Sequence, residues 1–378
     1  MAYTTIDDPV QYFNTVLFTG DIVDGDGTGH DQAVTGVGFQ PNWIWHKCRS
    51  HANQHIIVDS VRGTGGSPTQ MLGLNSAASG AEVNSNTNGW IESIDSDGYT
   101  VTSGNDSSSK SNNAGANGRT YVAWNWLAGG SASSNSNGGI TSSVSANATA
   151  GFSIVSWTGN GSDATVGHGL SSAPQMYVVK NRSDSADWRV GQTVAGNTMT
   201  AGNGYYMEWN DDKASTNPGS AVTWGSTPTA PTSTVFTVGS NNAHNGSSDN
   251  MIAYCWAEIP GYSKFGNYTG NGNSNGPFIH LGFRPAWFML RRVDSGDNWI
   301  VKDSARNTTN DVYFNLNPNS NGVQNGSANN VTTADFYANG FKIKGSDSGV
   351  NASDGRFIFM AFAEESNRTP FSTFTNAR

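Results

Sequence analysis

Five landmarks recur in the same order three times along this chain, and any fold the chain adopts must accommodate all three copies. An aromatic-Thr-Gly step appears as "LFTGD" (17–21), "SWTGNG" (156–161) and "NYTGNG" (267–272). A proline then precedes an apolar alternation that ends on a cation: "GFQPNWIWHKCRS" (38–50), "GLSSAPQMYVVKNRS" (169–183) and "GFRPAWFMLRRVD" (282–294). Pro41, Pro174 and Pro285 align, and so do Lys47, Lys180 and Arg291. A second short run follows as "HIIVDSVR" (55–62), "DWRVGQ" (187–192) and "NWIVKDSAR" (298–306). Next come "DSDGYTVTSG" (95–104), "TSTVFTVGS" (232–240) and "YANGFKIKGS" (337–346). Each copy closes on an apolar run: "RTYVAWNWLAGG" (119–130), "NMIAYCWAEIPG" (250–261) and "RFIFMAFAEES" (356–366).

The landmarks divide the 378 residues into units at 12–129, 151–262 and 263–372. Each spans about 110 residues, a normal size for one domain. Residues 130–150, rich in Gly, Ser and Asn, read as a linker, while "PGYSKFGNYTG" passes almost directly from the second unit to the third. Residues 1–11 read as a docking segment and 373–378 as a short tail. The apolar runs are short, rich in Val, Ile, Tyr, Phe and Trp, and bounded by turn clusters such as "SDSGVNASDG". No helical period with caps competes with them. The expectation is an all-β chain of three tandem antiparallel β-sandwiches, jelly-roll or concanavalin-like.

Alternation assigns faces. Trp43, Trp45 and Lys47 share one face of their strand, and Ile44, His46 and Cys48 share the other. Both rows are largely apolar in all three units, so the strand should be buried on both faces and end at a solvated basic tip.

Composition excludes several functions. Charged residues make up 13% and net charge is −9, with Lys and Arg scattered rather than clustered, which argues against phosphate neutralisation on nucleic acid. No apolar stretch is long enough for a membrane span, and "MAYTTIDDPVQYFNTVLF" lacks the basic start and apolar core of a signal peptide. Two cysteines, Cys48 and Cys255, make no disulfide framework. Synthesis in a reducing cytoplasm is expected, with exit by a route such as virion assembly and lysis.

Candidate chemistry is sparse. His46, Cys48, His51 and His55 could offer imidazole and thiolate to zinc across a hairpin, although the other units have no equivalents and the repeat needs no metal. Asp21, Asp24, Asp26 and Asp31 in "GDIVDGDGTGHD" offer oxygen ligands to calcium, but an acidic solvent loop is the plainer reading and no cofactor is expected. Glu258 and Glu364 recur at the end of the closing run, but Ala128 stands there in the first unit, and no carboxylate pair for glycoside hydrolysis appears. A non-enzyme is expected. Asp59 with Arg62, matched by Asp303 with Arg306, reads as a structural turn held by an ion pair. Carbohydrate could stack on Trp90, Trp209 and Trp224 near loops rich in Asn, Ser and Gly, against the alternative that these rings serve cores or subunit contacts.

The motifs "YFNTVLFTGD", "GFQPNWIWHKCRS", "VDSVRG", "SDGYTV", "YVAWNWLAGG", "AGFSIVSWTGNG", "VGHGLSSAPQMYVVKNRS", "IAYCWAEIPGYSKFGNYTGNG", "GFRPAWFMLRR" and "FIFMAFAE" cover nearly the whole chain. Together they resemble a family of triple-repeat virion proteins, tail-fibre or adhesion-like, from marine tailed phages such as cyanophages and pelagiphages. The resemblance implies a virion component, either a tail fibre or fibre-tip adhesin that binds host-surface polysaccharide, or a purely structural head-decoration, head-fibre or tail-adaptor protein. Its partners would be other virion proteins. It implies an oligomer, a trimer as in many phage spikes, or a monomer whose repeats supply pseudo-threefold symmetry. It brings no catalytic residues. The "IVDGDGTGHD" insertion and the long "NGYYMEWNDDKASTNPGSAVTWG" segment depart from the family pattern.

Overall fold

The computed structural model describes residues 4–23, 30–65, 70–71, 73–83, 87–104, 113–217, 223–326 and 332–364. Three sheets share one strand order. The first contains β1 (Phe13–Thr19), β2 (Trp43–Cys48), β3 (His55–Asp59) and β4 (Thr120–Trp126), arranged β1-β4-β2-β3. The second contains β5 (Phe152–Thr158), β6 (Met176–Asn181), β7 (Arg189–Gln192) and β8 (Asn250–Trp256), arranged β5-β8-β6-β7. The third contains β9 (Ser263–Thr269), β10 (Pro285–Arg292), β11 (Ile300–Asp303) and β12 (Arg356–Ala363), arranged β9-β12-β10-β11. All neighbouring strands in these orders are antiparallel, and the closing apolar run of each unit lies inside its sheet.

Register repeats along with order. Phe13, Trp126, Trp43 and Asp59 stand in one cross-strand row. The matching rows are Phe152, Trp256, Met176 and Gln192, then Ser263, Phe362, Trp287 and Asp303. Pro41, Pro174 and Pro285 each stand two residues before this row, where a missing backbone N–H costs the sheet least.

A smaller sheet covers one face of each large one, making an antiparallel sandwich. Strands Asp31–Thr35, Trp90–Asp95 and Gly98–Thr102 cover the first, enclosing Ile44, Ile56, Val58, Tyr99 and Val101. Strands Ala164–Gly167 and Val235–Val238 cover the second, enclosing Tyr177, Val179, Ala253 and Phe236. Strands Phe278–His280, Ala334–Tyr337 and Gly340–Ile343 cover the third, enclosing Phe288, Leu290, Phe359 and Phe341.

The opposite faces of the three large sheets meet one another. Trp43, Trp45, Trp124 and Trp126 from the first, Met176, Val178, Tyr254 and Trp256 from the second, and Trp287, Met289, Met360 and Phe362 from the third form one continuous core. Nine of the twelve tryptophans lie in it: Trp43, Trp45, Trp124, Trp126, Trp188, Trp209, Trp256, Trp287 and Trp299. Trp126 and Trp287 meet edge to face with centroids 5.6 Å apart, and Trp43 lies 4.9 Å from Tyr254, so rings of different units touch directly. This is why both rows of β2 are apolar. One row serves its own sandwich and the other serves the shared core, and all six residues are buried.

The aromatic-Thr-Gly step has a local cause. A Cβ on Gly159 would lie 2.1 Å from the Gly246 carbonyl oxygen, and one on Gly270 would lie 2.2 Å from that of Ala352. Only glycine lets the strand end close on the turn opposite. Buried Asn245 and Asn351 then tie the loop down, Asn245 donating to Asn160 Oδ1 (2.7 Å) and Asn351 to Asn271 Oδ1 (3.0 Å).

Four expectations are corrected. Residues 130–150 are not a plain linker: Ser133–Asn135 and Ser142–Asn147 form strands that extend the second sheet beyond β5, with Val144 buried against it. Residues 4–11 are not a free docking arm, because Ile6 is buried in the shared core and Pro9 is buried as well. The sandwiches are not separate domains, since each has a large sheet with its second face in that core. The basic tip of the central strand is not solvated; Lys47, Lys180 and Arg291 are fully buried. The proposed tail, residues 373–378, lies outside the described residues.

Candidate functional site

Lys47, Lys180 and Arg291 point into the shared core because they continue the rows of Trp43 and Trp45, Met176 and Val178, and Trp287 and Met289. A buried cation needs acceptors, and each finds them in a loop of another unit. Lys47 Nζ donates to the carbonyls of Cys48 (2.9 Å) and Asn321 (3.3 Å). Lys180 Nζ donates to those of Asn181 (2.7 Å) and Ser79 (3.1 Å). The Arg291 guanidinium donates to the carbonyls of Asp211 (2.7 Å) and Lys213. The three loops are equivalent: each follows a residue paired with the neighbouring strand, Leu74 on Ile57, Met207 on Val190 and Leu316 on Val301.

A ring N–H works beside each cation, at the position that opens β3 or immediately precedes β7 and β11. Trp188 Nε1 donates to the carbonyls of Asn75 and Ala78, both at 3.1 Å. Trp299 Nε1 donates to that of Glu208 (2.9 Å). In the first unit the position holds His55. Trp45 Nε1 donates to His55 Nδ1 (2.9 Å), so the proton sits on Nε2, which donates to the Ser320 carbonyl (3.0 Å). The first unit therefore caps a loop of the third, the second a loop of the first, and the third a loop of the second. Burial draws Lys47 and Lys180 down to about 8 and Arg291 to about 10.

A second set of contacts crosses the same interfaces. Asp59 and Arg62 form a fully buried ion pair (2.5 Å), as do Asp303 and Arg306 (2.6 Å). Tyr254 of the second unit donates its hydroxyl to Asp59 Oδ2 (2.8 Å), and Trp124 of the first donates Nε1 to Asp303 Oδ2 (3.0 Å). By register, Gln192 replaces the aspartate in the second unit and Met360 replaces the donor in the third. The carboxylate and its ring donor are absent from that interface together, and Gln192 Oε1 accepts instead from the Val194 N–H (2.9 Å).

The structure scatters the zinc candidates. His46 faces the interior of its own sandwich, where Nε2 donates to the Asn113 carbonyl (3.1 Å) and Nδ1 accepts from the Tyr99 hydroxyl (3.0 Å); burial draws it to about 3. Cys48 shares that face, His55 lies on the opposite face, and His51 is exposed. Among the described residues no group of three or more His, Cys, Asp or Glu is placed to hold a metal ion. Of the calcium candidates, Asp21 and Asp31 are exposed and Asp24 and Asp26 lie outside the described residues. Glu258 and Glu364 pair with Lys264 and Arg284.

The sugar-stacking candidates are overturned by burial. Trp90 lies against Gly73, Trp209 meets Trp45 edge-on at 5.0 Å, and Trp224 packs on Tyr177 at 4.9 Å. All three are at most 1% exposed, and the remaining tryptophans are buried too. Two surface features could instead meet a ligand. A shallow cleft of about 480 Å³ in the second unit is bordered by Asn160, Asp163, Thr165, Ser226 and Thr237. Asp163 accepts there from the Ser226 backbone N–H (2.6 Å), which holds its carboxyl below the usual range. On the third unit Phe278 and Tyr337, the exposed large aromatics among the described residues, lie with centroids 5.9 Å apart. The sequence signalled them only by phase: each alternates with a core residue, Ile279 or Phe336. The equivalence of His55 with Trp188 and Trp299 was also present in the aligned second runs, but hidden by the change of residue type.

Among the described residues no helix is long and apolar enough to cross a membrane. A family model described as a domain of unknown function, DUF7483, matches residues 8–366. No curated protein and no solved structure matches the chain.

Proposed function

We propose that this chain, which belongs to the DUF7483 family, is a non-enzymatic structural protein of a tailed-phage virion, made in the host cytoplasm and serving as a tail fibre or fibre-tip adhesin. The carrying observation is the cyclic arrangement of three like sheets about one core, each capping a loop of the next. A single chain of this form offers three similar faces about one pseudo-threefold axis. It can seat on a threefold-symmetric virion partner without itself being a trimer. His46, His55 and His168 are held in buried hydrogen bonds, and Lys47, Lys180 and Arg291 cap carbonyls, which supports a structural rather than a catalytic use of these groups. Contact with host-surface glycan would fall to the polar loops and exposed rings of the small sheets.

A purely structural role as head decoration, head fibre or tail adaptor is the second reading. Burial of all twelve tryptophans favours it, because no indole face is open to a sugar. Immunogold labelling of virions, with adsorption competition by the purified protein, tests the choice. Label at the tail tip and competition with phage are expected. Label on the capsid would sink the adhesin reading, and absence from the virion would sink both.

A further inference from the structure

The outward face of the small sheet in the third unit carries an aromatic platform. The strands Phe278–His280 and Ala334–Tyr337 flank Gly340–Ile343, with Phe278 opposite Lys342 and Tyr337 opposite Gly340. Phe278 is 45% exposed and Tyr337 41%, both turned outward by the register that sends Ile279 and Phe336 to the core. A Cβ on Gly340 would lie 2.1 Å from the Ile279 carbonyl oxygen and 3.0 Å from the Phe278 ring, so close backbone approach requires the glycine, and its bare Cα also leaves room beside that ring. The fold does not require this pair. The corresponding outward positions in the first unit, read from register, are Ala33 and Asp95.

Charge at the platform is uneven. Asp335 stands opposite Lys342 in register, yet its carboxylate is engaged by Lys344 (3.3 Å) and by the Tyr337 hydroxyl (3.1 Å). Lys344 is also paired with Asp311 (2.6 Å). Lys342 instead donates to a neutral acceptor, Asn275 Oδ1 (2.5 Å), and forms no ion pair among the described residues. Two exposed rings beside one cation without a carboxylate partner, fringed by an amide, suit a pyranose whose C–H face stacks while a carboxylate meets the ammonium. Two rings and one lysine are few against the roughly 20–30 residues a side of a stable protein interface.

We propose that Phe278, Tyr337 and Lys342 form a binding site for an acidic glycan. This deepens the adhesin reading and rests on it. Calorimetric titration of the full chain with polygalacturonate oligosaccharides, and with dextran oligosaccharides as the neutral control, tests it. Binding of the acidic oligomer in preference to dextran is expected. Phe278→Ala with Tyr337→Ala should weaken it about tenfold or more, Phe278→Tyr should retain it, and Lys342→Gln should abolish the preference for acid. Phe278 and Tyr337 are exposed and Lys342 is half-buried, outside the core, so unchanged thermal unfolding shows that the variants are folded. No binding by the unaltered chain, equal binding of dextran, or affinity indifferent to the ring substitutions would overturn the proposal. So would a change in solution mass in the double variant, which would make the pair a contact between copies. Adsorption competition separates the two readings: a double variant that competes as well as the unaltered protein removes the platform and leaves the adhesin, whereas failure of the unaltered protein to compete removes the adhesin.

Discussion

Single residues at the unit interfaces carry unusual weight because they are charged and dry. Asp59 serves Arg62, Tyr254 and two backbone N–H groups at once. Asp59→Ala leaves the buried Arg62 guanidinium with Glu82 (3.1 Å) as its remaining carboxylate among the described residues and takes the acceptor from Tyr254 and two backbone N–H groups, so it should cost about 3 kcal/mol in urea unfolding. Replacing both partners, Asp59→Leu with Arg62→Met, should cost clearly less. Equal losses in the two variants would contradict the desolvation argument. The buried histidines set the acid limit. Burial draws His46 and His244 to about 3, takes His55 well below its ordinary value and lowers His168. Between about pH 6.5 and 3 the unfolded chain binds protons that the folded chain refuses. Stability is therefore full above 6.5 and falls as pH drops through that window, by about 1.4 kcal/mol per unit of depression. His244→Phe, which keeps a ring against Trp224 (5.4 Å), should make the decline of melting temperature with acid shallower; an unchanged slope counts against a neutral buried His244.

Strands and loops were legible where alternation met a core and illegible where it met a neighbour's loop. The central strands, their two buried faces and the Asp-Arg turns could be read because period-two patterning and spacing of three are local properties. The segment 130–150 could not, since its Ser and Asn content resembles a loop and its strands form by pairing on β5. Digestion with proteinase K provides a check. No early cleavage is expected between residues 133 and 147, whose strands are hydrogen-bonded, and rapid cutting there would restore the linker. The terminal cations were misplaced for a related reason. Lys and Arg at a strand end usually reach water, and only the loops around Ser79, Asp211 and Asn321 remove it here.

The shared core predicts that the whole molecule folds as one unit. An isolated third unit would expose Trp287, Met289, Trp299 and Phe362, a face now covered by the other two. Calorimetry should therefore show one cooperative transition, with calorimetric and van't Hoff enthalpies in agreement. Three separable transitions would mean independent sandwiches. Residues 263–364 expressed alone should aggregate, because an apolar face of that size is a solubility hazard.

The order of landmarks in the chain determined the fold class, the threefold recurrence and the identity of the core strands, because each is written in local periodicity. Position relative to other units was decided only on folding. The same indole, imidazole or ammonium can face solvent, its own sandwich or a neighbour, and nothing within a strand distinguishes these. Trp209 and His55 became interior pieces of a shared core, and Lys47 became a cap on a foreign loop, because three amphipathic sheets bury more apolar surface together than apart.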